Sequence, residues 1–244
     1  LNRFYTHAIQ PGDNLWQLAQ AYKTTIEDIF AANPGINPYY LRVGEFIKVP
    51  SNPLKKDRCI SQAEVDYRND LRSLWEEHVA WTRMAIISLT FNLPDLQFVL
   101  TRLLKNATDM GNMIRRLYGD EAATTYGNLI KEHLLIAADL VKAAIAGNQQ
   151  AVMTAEKKWY QNADEIAKFL STGNPFLTEE AVRKMFYEHL DLTKQEAVSM
   201  INKDYQKDIE VYDAIEKQAR AMADMISDAM VLLYPDMFKV TTLR

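Results

Sequence analysis

The chain has 244 residues, 48% hydrophobic and 25% charged, with a formal net charge of −4. That length holds either one large domain or a small and a medium one with a sizeable core, and the weakly acidic balance gives nucleic acid no basic face to bind. No run of 18 apolar residues occurs, so no membrane-spanning helix is expected, and a single cysteine, Cys59, excludes an internal disulfide framework.

In chain order, Tyr5 to Ile9 alternates weakly and reads as a strand, and Pro11-Gly12-Asp13 turns the chain. Asn14 caps a short helix with Leu15, Leu18, Ala19 and Tyr22 inward. Thr24 or Thr25 caps a second helix carrying Ile26, Ile29 and Phe30, which Asn33-Pro34-Gly35 ends. A loop through Asn37-Pro38-Tyr39 leads to a closing strand, Glu45 to Val49. The expected unit is a small α+β module, strand-helix-helix-strand, with its two strands antiparallel.

The run His7-Ala-Ile-Gln-Pro-Gly-Asp13-Asn14-Leu15-Trp16-Gln-Leu-Ala19, then Ala32-Asn33-Pro34, then Leu41-Arg-Val-Gly44-Glu-Phe-Ile47-Lys-Val-Pro50 resembles a lysin-motif (LysM) domain over residues 4–50. The resemblance implies binding of N-acetylglucosamine glycans, chiefly peptidoglycan and chitin, in a shallow groove between two loops. In this chain those loops carry Gly12, Asp13, Asn14 and Leu15 on one side and Ile36, Asn37 and Tyr39 on the other. Asn14 stands where many members have threonine or serine, which keeps the cap but changes the group offered to sugar. A module that has lost its ligand and serves only docking is the plainer alternative.

Residues 51–60 are polar, contain proline and read as a linker, with Cys59 incidental. From Ser61 to about residue 235 the pattern is all-helical. Ser61 with Glu64 offers a capping box for a helix to about Phe91, and the next runs from Pro94-Asp95 to Tyr118-Gly119. A third spans Glu121 to Ala146 and a fourth Gln149 to Leu170. Thr178 caps a fifth that ends near His189-Leu190. Thr193 with Glu196 starts another piece that joins or kinks into a last helix ending at Leu233-Tyr234, and residues 236–244 form a loose tail. Loops this short make successive helices antiparallel, giving a bundle of about three hairpins whose methionines fill core.

Within that region the dipeptides Glu77-His78, Glu132-His133 and Glu188-His189 recur at spacings of 55 and 56 residues, each histidine on an apolar stripe and each glutamate beside it. A second echo, Asn106-Ala-Thr-Asp109, Asn162-Ala-Asp-Glu165 and Asp213-Ala-Ile-Glu216, follows each. Three readings stay open. The histidines with Glu77, Glu132, Glu188, Asp109, Glu165 and Glu216 supply nitrogen and oxygen ligands for a divalent metal. Alternatively they form a buried polar network with Asn106, Asn162 and Asp213 that fixes helix pairing. The third reading is histidine-carboxylate acid/base hydrolysis of a wall component. The adjacent Glu-His spacing differs from the i,i+3 motif of dimetal bundles, and no phosphate loop, nucleophile elbow or His-Glu-x-x-His occurs, so the balance leans away from an enzyme. Arg83 would hold an anion or neutralise Glu77 or Asp109.

Residues 65–235 loosely resemble an uncharacterised helical domain of spore-forming Gram-positive bacteria, on Leu74-Trp-Glu-Glu-His-Val-Ala-Trp-Thr-Arg83 and Trp159-Tyr-Gln-Asn-Ala-Asp-Glu-Ile-Ala167. That resemblance brings no activity, and together with the lysin-motif resemblance it implies a location at the cell wall, cell surface or spore of a Gram-positive bacterium. No signal peptide is visible, and the leucine start suits removal of an upstream segment. The expected partner is the glycan, with a protein partner for the helical domain as a further candidate.

Overall fold

The computed structural model describes residues 4–37, 41–50 and 60–239. Tyr39, the expected linker at 51–60 apart from Ile60, Cys59 and residues 240–244 lie outside them. Strand β1 (Phe4–Ala8) pairs antiparallel with β2 (Phe46–Pro50), Tyr5 opposite Val49 and His7 opposite Ile47. Helices α1 (Leu15–Tyr22) and α2 (Ile26–Ala32) pack on this ribbon. Asn14 Oδ1 accepts from Gln17 N and Thr25 Oγ1 from Asp28 N, so both helices start on side-chain caps. The Asn33 amide bridges the end of α2 to β2, donating to Ile29 O and Lys48 O and accepting from Lys48 N. This is the expected small α+β module.

The rest is helical. Helix α3 (Gln62–Thr90) starts at Ser61, whose hydroxyl accepts from Glu64 N. Helix α4 (Leu96–Ile145) breaks at Gly119, where φ is 83° and ψ −179°. Only glycine enters that region cheaply, so α4 is two arms, 96–118 and 120–145, folded back on each other. They touch closely where Gly111 faces Gly127: a Cβ on Gly111 would lie 2.5 Å from Ala123 O. Helices α5 (Gln149–Gly173), α6 (Glu179–Ile201) and α7 (Tyr205–Leu233) follow. The hairpins are α3 with the first arm of α4, the second arm with α5, and α6 with α7; α5 packs on α6 and α7 returns to α3.

Two expectations change. Helix α6 does not end near His189 but runs to Ile201, because the Thr193 hydroxyl donates inside the helix to His189 O instead of capping a new one. Phe238 is buried against Tyr67, with ring centroids 5.2 Å apart, so Pro235–Phe238 is a 3-10 turn (η1) docked on α3 and not loose tail. No helix among the described residues is long and apolar enough to cross a membrane.

The two parts touch at one seam. Asn174 closes α5, donates to Ala229 O and accepts from Phe176 N, which fixes the α5–α6 corner against α7. The corner presents Phe176 to Phe30 of α2, edge to face at 5.7 Å, while Trp16 of α1 packs toward the bundle core.

Candidate functional site

In the N-terminal module, the turn after β1 is built by Asp13. Its carboxylate accepts from Gln10 N at 2.7 Å and meets His7 Nε2 at 2.6 Å, while His7 Nδ1 meets the Tyr22 hydroxyl. Gly12 sits at φ 86° and is exposed; Asn14 and Leu15 are buried at 3% and 4% exposure. Leu15 therefore serves the core and Asn14 the cap, and the exposed part of the turn is Gln10, Pro11 and Gly12. On the second expected loop Ile36 is half-buried against the module's core and Asn37 is exposed.

In the bundle the three histidines meet. His78, His133 and His189, all at 2–3% exposure, place their ring centroids 6.4, 5.8 and 6.5 Å apart in a near-equilateral triangle. Each has the same backing on the following helix. His78 Nδ1 lies 3.1 Å from Asn106 Oδ1, His133 Nδ1 2.9 Å from Asn162 Oδ1, and His189 Nδ1 3.2 Å from Gln218 Oε1. The amide nitrogens of those partners donate to Leu74 O, Leu129 O and Met185 O, each four residues before its histidine. Since each amide nitrogen is committed to a carbonyl, its oxygen must face the ring, and Nδ1 must carry the proton. All three rings are thus one tautomer, with the lone pair on Nε2.

Burial dominates their charge. It pushes the His78 pKa down to about 4 and His189 to about 3, and His133 well below the usual range, its two histidine neighbours adding to the effect. The centre is neutral at pH 7. Trp159 Nε1 donates to His133 Nε2 at 3.2 Å. Trp75, whose ring lies 5.5 Å from His78 and 6.0 Å from His189, keeps a buried Nε1–H without a hydrogen-bond partner among the described residues.

The carboxylates expected beside the histidines do not join them. Glu77 pairs with Arg102 and Asp109 with Lys105 near the surface; Glu132, Glu188 and Glu165 are exposed, Glu165 at the rim of an apolar groove between α4 and α5. Glu216 pairs with Arg220, and Asp213 is exposed and outside the buried network. The physical reason is register: the third member of the repeat is Gln218-Ala219, 56 residues after Asn162-Ala163, which is itself 56 after Asn106-Ala107. That spacing was the signal that could have found Gln218. Among the described residues no group of three or more His, Cys, Asp or Glu side chains is arranged to hold a metal ion.

A second buried cluster ties α3 to α6 and α7. Arg83 donates to Glu196 at 2.7 Å and, through both Nη atoms, to Asp208 at 3.1 and 2.5 Å, with its guanidinium over the Tyr212 ring. Its partners are these two carboxylates and not Glu77 or Asp109. Burial pushes the Glu196 pKa up to about 7 against the pull of Arg83, with Asp208 adding repulsion.

No curated protein and no solved structure matches the chain in comparison. The family model described as LysM domain matches residues 7–50, the segment that folds as the strand-helix-helix-strand module.

Proposed function

We propose that residues 4–50 bind an N-acetylglucosamine glycan of the peptidoglycan or chitin type and thereby hold the helical bundle at a cell wall, cell surface or spore. The carrying observation is the LysM match over residues 7–50 on a module with the fitting fold. The contacts proposed are Gly12, Asp13, Asn14 and Leu15 on one loop with Ile36, Asn37 and Tyr39 on the other. The exposed Gly12 peptide suits acetamido and hydroxyl groups, and Ile36 offers apolar surface to a sugar face. One such site binds weakly, so retention depends on many sites along an insoluble polymer. The test is co-sedimentation of the full chain with insoluble peptidoglycan and with chitin. Retention released by soluble N-acetylglucosamine oligomers supports the reading; a chain left in the supernatant of both polymers overturns it.

For the bundle, the repeated imidazole-amide-carbonyl relay supports a structural role, in which three buried polar contacts choose which helices face one another. A second reading, a divalent metal at the histidine centre, is favoured by one observation: three Nδ1-protonated imidazoles stand with their ring centroids 5.8–6.5 Å apart, although in the arrangement seen they do not form a metal-holding group. Around one ion at the usual metal-nitrogen distance the centroids would stand about 5–5.5 Å apart, so the rings would close slightly and His133 would release Trp159. Elemental analysis of protein purified without an affinity tag decides it. One equivalent of metal, lost in His133→Gln, carries this reading, and metal-free folded protein with no thermal shift on adding zinc or iron removes it.

A further inference from the structure

The seam between the module and the bundle brings a carboxylate onto the glycan-binding turn. Glu180, in the first turn of α6, reaches the outer side of the Gly12 turn. A Cβ built on Gly12 would lie 3.0 Å from Glu180 Oε1, and no other atom of the chain outside the turn's own neighbours comes so near. Gly12 is therefore needed twice, for its positive φ and for the room that Glu180 occupies. The placement is held from behind. Phe30 lies against Phe176, Asn174 fixes that corner to α7, and Thr178 caps α6 by accepting from Ala181 N.

Glu180 is exposed and lies beside the turn. Its neighbour Glu179 is held by Arg183, which in turn reaches Asp164. In the turn itself Asp13 is engaged by His7 and Gln10, and Asn14 and Leu15 are buried. Among the described residues Glu180 is the carboxylate that lies against Gly12, and it has no hydrogen-bond or ion-pair partner there.

We propose that Glu180 belongs to the glycan site, so that the binding groove is composite, with the module supplying its floor and the first turn of α6 one wall. This rests on the glycan reading of residues 4–50. A carboxylate at that edge accepts hydrogen bonds from sugar hydroxyls and from an acetamido N–H, and attracts the ammonium of a de-N-acetylated residue. It repels the carboxylates of muramic acid and of peptide stems. The site therefore takes neutral or partly de-N-acetylated N-acetylglucosamine stretches in preference to stem-bearing ones.

The test is calorimetric titration of the full chain and of Glu180→Gln and Glu180→Ala with N-acetylglucosamine pentamer and with its partly de-N-acetylated counterpart, alongside thermal melts. An exposed charge of this kind is worth a few-fold in affinity. The wild-type chain is expected to favour the amine-bearing oligomer. Glu180→Gln should lose about three-fold on that oligomer and little on the neutral one, Glu180→Ala should weaken both, and the melting temperature should not move. Unchanged affinities in both variants, or tighter binding because α6 had obstructed the turn, overturn the composite groove while leaving the module's own site standing. If the wild-type chain binds neither oligomer, the glycan reading fails first and this inference with it.

Discussion

Gln218 stands to His189 as Asn106 stands to His78: its Oε1 accepts the Nδ1 proton at 3.2 Å while its Nε2 donates to Met185 O at 2.9 Å. One extra methylene in the side chain is absorbed, and the relay survives. Replacing Gln218 with leucine strands a buried N–H and a backbone carbonyl. The expected cost is about 2–3 kcal/mol in urea unfolding. Glu216→Gln, at a surface ion pair, should change stability by no more than about 0.5 kcal/mol. Equal effects at the two positions would contradict the threefold relay.

Acid should unfold the protein through the same centre. The folded pKa values of His78, His133 and His189 lie below the ordinary 6.5, so the unfolded chain binds protons first as pH falls. Stability is fully present above about pH 6.5 and is lost as pH drops toward 4, by about 2 kcal/mol per histidine at pH 5. Glu196 works the other way. Its pKa, raised to about 7, favours the folded state at low pH and loses that contribution as pH rises from about 4.5 through 7. Three groups outweigh one, so the melting temperature should fall from pH 7 to pH 5, and His133→Gln should flatten that slope by about a third.

Arg83 holds two carboxylates that are 1% exposed. Arg83→Met leaves them buried together without a cation, an expected loss of about 3 kcal/mol at pH 8. Because Glu196 takes up a proton near pH 7, the loss should shrink at pH 6. A loss that is the same at pH 6 and pH 8 would contradict the proposed electrostatic origin.

The fold was largely legible because its signals are local: caps at Asn14, Thr25, Ser61 and Thr178 begin the helices where expected, and Gly119 breaks α4 where expected. Two histidine partners, Asn106 and Asn162, were legible as well. What failed was long-range. Thr193 and Glu196 imitate a capping box, yet Glu196 is claimed by Arg83 of α3, 113 residues away, and the helix continues through both. The sequence pattern points to a carboxylate partner at Asp213 and Glu216, whereas burial demands a neutral amide that can donate and accept at once, which Gln218 provides. The neutrality of the centre also explains why the flanking glutamates stay at the surface: next to three desolvated imidazoles a carboxylate would itself be desolvated.

The crossing of the two arms of α4 can be tested sterically. Gly111→Ala puts a methyl 2.5 Å from Ala123 O, so the arms must separate, with a melting-temperature loss of several degrees; Gly127→Ala meets Ala107 O at 3.3 Å and should cost less. A reversed order would mean that the arms cross elsewhere.

The central claim, glycan binding through the N-terminal module, is tested most directly by amide chemical shifts of the full chain titrated with soluble N-acetylglucosamine pentamer. Saturable shifts concentrated at Gly12 to Leu15 and at Ile36 and Asn37 are predicted. Shifts confined to the helical bundle, or none at millimolar oligomer, would contradict it.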